Sequence, residues 1–251
     1  MRVDLNSDMG EGFGPWRMGD DSALLDIVTS ANIACGFHAG DPDVMARVMR
    51  RAAETGVGIG AHPGFADLQG FGRRRMRMSS EELGNMVAYQ LGAAQGIARS
   101  LGTTVRHLKL HGALSNMASE SPEIARACYR AALRVDPDLT LVVLSATPMQ
   151  TVAEELGAKW AGEIFADRAY NDDATLLDRG KPGAVLHDAA EVGRRMEAMI
   201  RAKAIITASG KHIPCKIDTI CVHGDSADAV AMAGALRDHL TSAAIAVQRF
   251  D

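Results

Sequence analysis

The sequence predicts an α/β fold built on a parallel sheet, and three observations support this prediction. Short apolar runs alternate with longer amphipathic segments along the 251 residues. Several amphipathic segments carry helix-capping signals, and no repeat or linker-like stretch marks a domain boundary. Seven or eight strand–helix units of this kind imply parallel strands joined by right-handed crossovers. We expect one domain over residues 1–251 and favour a barrel, although periodicity alone does not distinguish a barrel from a doubly wound sheet.

The predicted elements follow from the period of the apolar residues. Strands are predicted at 2–6, 31–37, 57–61, 105–110, 139–145, 160–166 and 218–222, with 245–249 as a candidate last strand. Helices are predicted at 41–56, 79–101, 121–133, 148–156, 188–208 and 226–242. Most strands are therefore followed by a helix, as a (β/α) architecture requires.

Two of these helices have clear start signals. Asp41 is placed to cap the first, Pro42 occupies its first turn, and Gly56 ends it. Ser121 and Pro122 repeat the same arrangement at the later helix. Proline suits the first helical position because its missing N–H would have no partner there.

Composition excludes several classes of protein. The net charge of −4 gives no general electrostatic reason to bind nucleic acid or an anionic membrane. No stretch has the length and apolarity of a membrane span, and the first residues lack the pattern of a signal peptide, so we expect a cytoplasmic protein. The four cysteines form neither a CxxC pair nor a zinc pattern, which indicates reduced thiols.

Polar residues follow most of the predicted strands at the same point of each unit. They are Asn6, Asp8, Glu11, His38, Asp41, His62, Asp67, Lys109, His111, Glu163, Asp167, Arg168, His223 and Asp225. The carboxyl ends of parallel strands share one face, where loops assemble a ligand site. The sequence therefore predicts that separate chain segments converge on one site.

Each of these residues also has a structural interpretation. Asp8, Asp41 and Asp225 could simply cap the helices that follow them. Capping does not explain why four histidines share one position in their units, and that placement favours a catalytic or metal site at His38, His62, His111 and His223. The other four histidines lack this placement and are interpreted as structural; they are His107, His187, His212 and His239.

The stretch "GFGRRRMR" carries Arg73, Arg74, Arg75 and Arg77 between a strand and a helix. A solvated basic loop is one interpretation. The other is a lid that closes over substrate, because guanidinium groups pair with carboxylates and phosphates and glycines permit movement. No Walker-type phosphate loop occurs in the sequence.

Six motifs together resemble the LamB/YcsF family: "DLNSDMGEGFG", "ANIACGFHAGDP", "GAHPGFADLQGFGRR", "LKLHGAL", "FADRAY" and "VHGD". Members of that family are known as the A subunit of a prokaryotic ATP-dependent 5-oxoprolinase. The resemblance implies an irregular seven-stranded (β/α) barrel of the glycoside hydrolase/deacetylase type. It also implies opening of the lactam 5-oxoproline to L-glutamate with ATP cleaved to ADP and phosphate, and work with subunits B and C. A homo-oligomer is an open alternative.

The family's characteristic positions occur here as Asp4, Asn6, Asp8, Glu11, Asn32, Cys35, His38, Asp41, His62, Arg73, Arg74, Lys109, His111, Asp167, Arg168, His223 and Asp225. Two departures stand beside the expected site, where Leu110 and Ser115 replace a proline and a tyrosine. They bear on the shape of the substrate pocket, whereas the charged and imidazole groups are intact.

The residue types suggest roles in lactam opening. We expect Asp8, His38, His62, His111 and His223 to be catalytic. The expected binding residues, for substrate or phosphate, are Asn6, Glu11, Asp41, Arg73, Arg74, Lys109, Asp167, Arg168 and Asp225. Two alternatives stay open. Asp8, His38 and His62, with His223, could ligate a divalent metal in a stand-alone amide hydrolase or deacetylase, or the chain could be a non-catalytic subunit that binds substrate.

Overall fold

The computed structural model describes residues 1–223 and 228–250. The strands in this part are β1 (Arg2–Met9), β2 (Ser30–Ala34), β3 (Gly58–His62), β4 (His107–Lys109), β5 (Thr140–Leu144), β6 (Trp160–Phe165), β7 (Ala204–Ile206), β8 (His212–Pro214), β9 (Thr219–Cys221) and β10 (Ala246–Val247). The helices are α1 (Asp21–Leu25), α2 (Pro42–Thr55), α3 (Ser80–Ser100), α4 (Gly112–Glu120), α5 (Pro122–Val135), α6 (Pro148–Glu155), α7 (Ala189–Ala202) and α8 (Ala229–Ser242).

Seven parallel strands form a closed barrel in the order β1-β2-β3-β4-β5-β6-β9. Pairing of β9 with β1 closes it, with Asn6 opposite Cys221. The short strand β10 pairs in parallel with the first residues of β1. The predicted seven-stranded barrel is confirmed. Because all seven strands run in one direction, their carboxyl ends lie on one face, and the residues that follow them share a single rim.

Helix α7 and the hairpin after it correct the sequence prediction. The helix predicted at 188–208 ends at Ala202, where Lys203 adopts a left-handed conformation with φ 49°. Residues 204–206 instead form β7, which pairs antiparallel with β8. The prediction failed because the short apolar run at 204–206 continues the helical period of the segment before it. Pairing with β8, which the sequence does not reveal, makes this run a strand. The sequence also missed the short helices α1 and α4.

The helix-capping predictions are confirmed. The Asp41 carboxylate accepts a hydrogen bond from the Val44 amide, and Gly56 ends α2 with φ 74°. Ser121 caps α5 through the Ile124 amide. In residues 1–223 and 228–250, no helix is long and apolar enough to cross a membrane.

A polar network ties the base of the barrel together at Asp4 of β1, which is fully buried. The hydroxyls of Thr29 and Ser30 donate to its Oδ1 at 2.6 and 2.7 Å, and the Thr219 hydroxyl of β9 donates to Oδ2. Hydrogen bonds of this kind satisfy a buried carboxylate that would otherwise be costly. They link β1 to both of its barrel neighbours below the rim.

Gly60 of β3 gives a direct test of how tightly this interior is packed. A methyl group at residue 60 would overlap the ring of the buried His107, whereas one at Gly92 on α3 would meet no atom within 4 Å. We expect Gly60→Ala to destabilise the protein by about 1–3 kcal/mol through overpacking. Gly92→Ala should stabilise it by about 0.5–1 kcal/mol, because alanine is the better helix former. Urea unfolding measures the free energy of unfolding of both variants. Equal midpoints would contradict the close contact between residue 60 and the His107 ring.

Candidate functional site

A cavity of about 480 Å³ opens at the carboxyl ends of the barrel strands. Its floor and walls include Asp8 from β1, His62 from β3, Lys109 from β4, Phe165 from β6 and His223 after β9. Small-molecule sites commonly occupy volumes of about 300–1,000 Å³ at such a face. Separate segments therefore do converge on one site.

Lys109 lies at the bottom of this cavity and is 3% exposed. Its Nζ lies 2.9 Å from Asp8 Oδ1 and 2.9 Å from Glu163 Oε1, so it forms ion pairs with carboxylates of β1 and β6. Nζ also donates to Asn6 Oδ1 at 3.3 Å and to Cys221 Sγ at 3.0 Å. One ammonium group thus joins β1, β4, β6 and β9 across the barrel interior.

The charge states of this group follow from competing effects. Burial alone would lower the pKa of Lys109, but its contacts with Asp8, Cys221 and Glu163 outweigh that effect and raise the pKa well above its usual value. Burial would likewise raise the pKa of Asp8, but His62 and Lys109 hold it well below the usual range. Burial raises the pKa of Glu163, and Lys109 only partly offsets this. Lys109 is therefore a permanent cation beside an ionised Asp8.

Two histidines next to Asp8 are held by backbone carbonyls. His62 Nδ1 lies 2.7 Å from the Lys109 carbonyl oxygen, and His111 Nε2 lies 2.8 Å from that of Phe71. A carbonyl oxygen only accepts, so each of these ring nitrogens carries the hydrogen. The opposite nitrogens, His62 Nε2 and His111 Nδ1, lie 3.0 Å apart, and His62 Nε2 is also 3.2 Å from Asp8 Oδ2.

His38 stacks on His111 behind the cavity wall, with ring centroids 3.6 Å apart and planes 4° from parallel. It is 1% exposed, and neither of its nitrogens has a hydrogen-bond partner. Burial is the main cause that lowers the pKa of His38 well below its usual value and that of His111 to about 3. Both rings are therefore neutral.

Glu11 completes a group of donors that could hold a metal ion. Its Oε1 lies 3.7 Å from His38 Nε2 and 3.8 Å from His111 Nδ1. One donor atom from each of Glu11, His38, His62 and His111 lies within 4.8 Å of every other. The loop after β1 brings Glu11 here, the segments after β2 and β4 bring His38 and His111, and His62 is the last residue of β3.

A second histidine site lies on the opposite wall. His223 Nδ1 is 2.8 Å from both carboxylate oxygens of Asp167, and an Arg179 nitrogen donates to His223 Nε2 at 3.0 Å. Burial would raise the pKa of Asp167, but His223 holds it below the usual value. The carboxylate therefore orients the imidazole with Nδ1 protonated and Nε2 as an acceptor.

Cationic side chains dominate the upper wall of the cavity. Arg168 is 6% exposed, donates to the Leu177 carbonyl at 2.6 Å, and has its pKa lowered to about 10 chiefly by burial. The other cations that line this part are Arg73, Arg75, Arg179 and Lys181. Arg75 is already paired with Glu120, but the wall as a whole favours an anionic ligand.

Six predicted site residues lie away from the cavity lining or outside the described part. Two of them, His38 and Asp167, contact lining histidines from behind. Arg74 forms an ion pair with Asp67 in its own loop, and its side chain is 63% exposed. Asp41 caps α2 and also accepts from the Gly14 amide at 2.8 Å. Asn6 lies below Lys109, inside the barrel. Asp225 lies outside the described residues.

The sequence interpretation omitted several residues that the structure brings to the site. The sequence places Glu163 near a strand end but does not mark it as a site residue. An acidic residue inside the buried run "WAGEIF" was the available signal. Arg179 gave no signal, since it lies in a long irregular segment after β6. Leu110 and Ser115, the two departures from the family pattern, both line the cavity.

Proteins of similar sequence extend over the whole chain. A protein from Ruegeria pomeroyi that is named as a 5-oxoprolinase A subunit is 63% identical over 250 residues, covering 100% of this chain and 99% of that protein. One of the same name from Rhodopseudomonas palustris strain BisA53 is 51% identical, covering 99% and 98%. Relatives of this name support a hydrolase-type role.

Solved structures and a family model agree with that likeness. The crystal structure of the lactam utilization protein from Thermus thermophilus matches with a TM-score of 0.92 and 39% identity over 99% of both chains. The catalytic domain of a peptidoglycan N-acetylglucosamine deacetylase from Eubacterium rectale shares the fold alone, with a TM-score of 0.53 and 10% identity over 98% of this chain and 87% of that one. The LamB/YcsF family model matches residues 3–251, and the chain therefore belongs to the LamB/YcsF family.

Proposed function

We propose that this chain is the A subunit of an ATP-dependent 5-oxoprolinase, which opens the lactam 5-oxoproline to L-glutamate while ATP becomes ADP and phosphate. The observation that carries the proposal is the composition of the cavity, where a cationic wall faces imidazole and carboxylate groups. The cationic wall suits an anionic substrate and a phosphoryl group, and the imidazole and carboxylate groups suit proton transfer. The names of the relatives supply the substrate.

Substrate binding is assigned to the arginines of the wall. The 5-oxoproline carboxylate is an anion at neutral pH, and a guanidinium can bind it through two parallel hydrogen bonds. Arg168 is fixed by backbone carbonyls. Arg73 follows Gly72 in its loop and is exposed at the edge of the cavity. Arg168 therefore suits a fixed anchor, and Arg73 suits a group that closes on the ligand.

The reaction needs an activated amide. Phosphorylation of the lactam oxygen by ATP makes the ring carbon a better electrophile. Water then attacks this carbon, and the C–N bond breaks as the ring nitrogen takes a proton, which leaves an acyl phosphate. A second water hydrolyses this acyl phosphate to the carboxylate of glutamate and free phosphate. In this scheme the permanent positive charge of Lys109 stabilises negative oxygen at the cavity floor.

His223 is the proposed general base. Its Nδ1 is held by Asp167, so Nε2 is the nitrogen that takes a proton. Arg179 donates to that nitrogen in this structure. When Arg179 turns to an anionic ligand, Nε2 becomes available to activate water, and the resulting imidazolium can protonate the ring nitrogen.

Partner subunits are part of this proposal. The designation of the relatives as an A subunit implies further subunits, and we infer that these are subunits B and C, that they contribute to ATP binding, and that the complex works in the cytoplasm. The absence of a Walker-type sequence fits this division of labour. A stand-alone metal-dependent amide hydrolase is the second candidate, favoured by the grouping of Glu11 with three histidines.

Reconstitution separates these functions. We expect the purified chain alone to release little glutamate from 5-oxoproline with ATP, and the mixture with subunits B and C to release glutamate and phosphate together. Glutamate and phosphate are measured in parallel, with a mixture lacking this chain as the control. ATP-independent amide hydrolysis by the chain alone would instead support the stand-alone hydrolase. Full ATP-dependent turnover by the chain alone would contradict the need for partners.

Replacing His223 tests the general base. In the reconstituted complex, His223→Gln should lower kcat by about 100-fold to 10,000-fold, because glutamine cannot take the proton. The melting temperature should change little, since the ring lies at the cavity wall and is not part of the apolar core. His239→Gln is the matched control, because His239 pairs with Glu197 between α7 and α8. A kcat within a few-fold of the original would remove His223 from the mechanism.

Arg73 and Arg77 provide a test of substrate binding within one loop. A charge-assisted contact is worth about 1.5–3 kcal/mol, so Arg73→Ala should raise the KM for 5-oxoproline or for ATP by about 10-fold or more. Arg77 is exposed in the same loop and does not line the cavity, so Arg77→Ala serves as the control. Equal KM values in both variants would show that Arg73 does not bind substrate and would favour the interpretation of a solvated basic loop.

A further inference from the structure

The outer ring nitrogens of His62 and His111 are both used by backbone carbonyls, and this fixes what their inner nitrogens can do. His62 donates from Nδ1 to Lys109, and His111 donates from Nε2 to Phe71. When both rings are neutral, the lone pairs of His62 Nε2 and His111 Nδ1 point at each other over 3.0 Å. Such an arrangement is repulsive unless a proton or a cation lies between the two nitrogens.

We propose that a divalent transition-metal cation occupies this position, bound by His62 Nε2, His111 Nδ1 and the carboxylate of Glu11. Histidine ligands of metals almost always donate their other ring N–H to a carbonyl or carboxylate, which sets the tautomer and orients the ring. His62 and His111 both have this outer partner in the backbone.

The distances agree with shared ligation of one cation. Two donor atoms about 2.1 Å from one cation lie about 3.0 Å apart at a right angle and about 3.4 Å apart at a tetrahedral angle. The two histidine nitrogens are 3.0 Å apart, and Glu11 Oε1 is 3.8 Å from His111 Nδ1. The second distance is too long for a hydrogen bond, and closing it by a few tenths of an ångström gives the tetrahedral value.

His38 is the candidate fourth ligand. Both its nitrogens are buried without a hydrogen bond, so a polar ring is present with nothing that satisfies it. Its Nε2 is 3.7 Å from Glu11 Oε1. The ring is parallel to that of His111, so one cation cannot lie in both ring planes until His38 turns about its side-chain torsion. No hydrogen bond opposes that turn.

The charge balance favours a cation at this position. Asp8, Glu11 and Glu163 bring three buried carboxyl groups to the cavity floor, and Lys109 supplies the buried ammonium. A second candidate group of donors, Asp8, Cys221 and His223, is less suitable. The Cys221 thiol has its pKa raised well above the usual value by burial, and Lys109 lies 3.0 Å from its sulfur.

The donor set defines the class of metal. Two or three imidazoles with one carboxylate suit zinc, manganese, iron or cobalt, whereas calcium and magnesium prefer sites made of oxygen. This inference concerns the same cavity as the proposed function but does not depend on 5-oxoproline or ATP.

Metal binding to the full chain tests the proposal without any assay of activity. Protein freed of metal by chelation and dialysis is titrated with Co²⁺ while visible d–d absorption is recorded, and Zn²⁺ binding is followed by calorimetry and elemental analysis. We expect one equivalent of metal, a nitrogen-rich Co²⁺ spectrum and a rise in melting temperature. If the chain binds no saturable equivalent of Co²⁺ or Zn²⁺ at micromolar metal, the proposal is overturned.

Two variants assign the ligands. His62→Asn and His111→Asn should each weaken Zn²⁺ binding by more than about 10-fold, since removal of a ligand exceeds the usual effect of losing an outer-shell partner. His212→Asn is the control for adventitious binding, because His212 is exposed on β8. Circular dichroism checks that each variant folds. Equal binding by all three variants would overturn the assignment.

The alternative to a metal is a proton shared between His62 and His111. Imidazole ¹⁵N spectra of the metal-free chain distinguish the two, and they also serve if a variant fails to fold. We expect the inner nitrogens of both rings to shift when Zn²⁺ is added, because the metal takes the place of any proton between them. An imidazolium at His62 that is unchanged by Zn²⁺ would overturn the proposal.

Discussion

Lys109 places an ammonium group at the centre of a barrel whose lining also carries Asp8 and Glu163. Removing one partner of a buried ion pair commonly costs about 3–5 kcal/mol, because the remaining charge stays buried and uncompensated. The three residues come from β4, β1 and β6, so their contacts exist only when the barrel is closed. Barrel closure and the charge state of the cavity floor therefore depend on each other.

The same lysine also fixes the histidines through its backbone. The Lys109 carbonyl accepts from His62 Nδ1, and its side chain holds Asp8, whose other oxygen faces His62 Nε2. One residue thus determines both the tautomer of an imidazole and the position of the carboxylate beside it. A substitution here would change the site in two ways, which a stability measurement alone would not separate.

The sequence predicted the order of strands and helices and the convergence of residues at one rim, because both follow from local period, capping residues and the common direction of parallel strands. It did not separate Arg73 at the cavity from Arg74, which pairs with Asp67. Adjacent residues in an irregular loop leave no periodicity to read. Asp41 shows a second reason why sequence does not identify every site residue. Capping residues and site residues occupy the same position after a strand, and the Asp41 carboxylate caps α2.

The two histidine sites differ in what fixes their rings, and this difference separates their chemistry. His62 and His111 are fixed by backbone carbonyls, which cannot donate, so neither ring can change tautomer without losing a hydrogen bond. His223 is held by the Asp167 carboxylate and meets the side chain of Arg179, which can turn away. The first arrangement presents lone pairs in constant directions and suits a bound cation. The second lets one nitrogen gain and lose a proton while the ring keeps its orientation, which is the property that a general base requires.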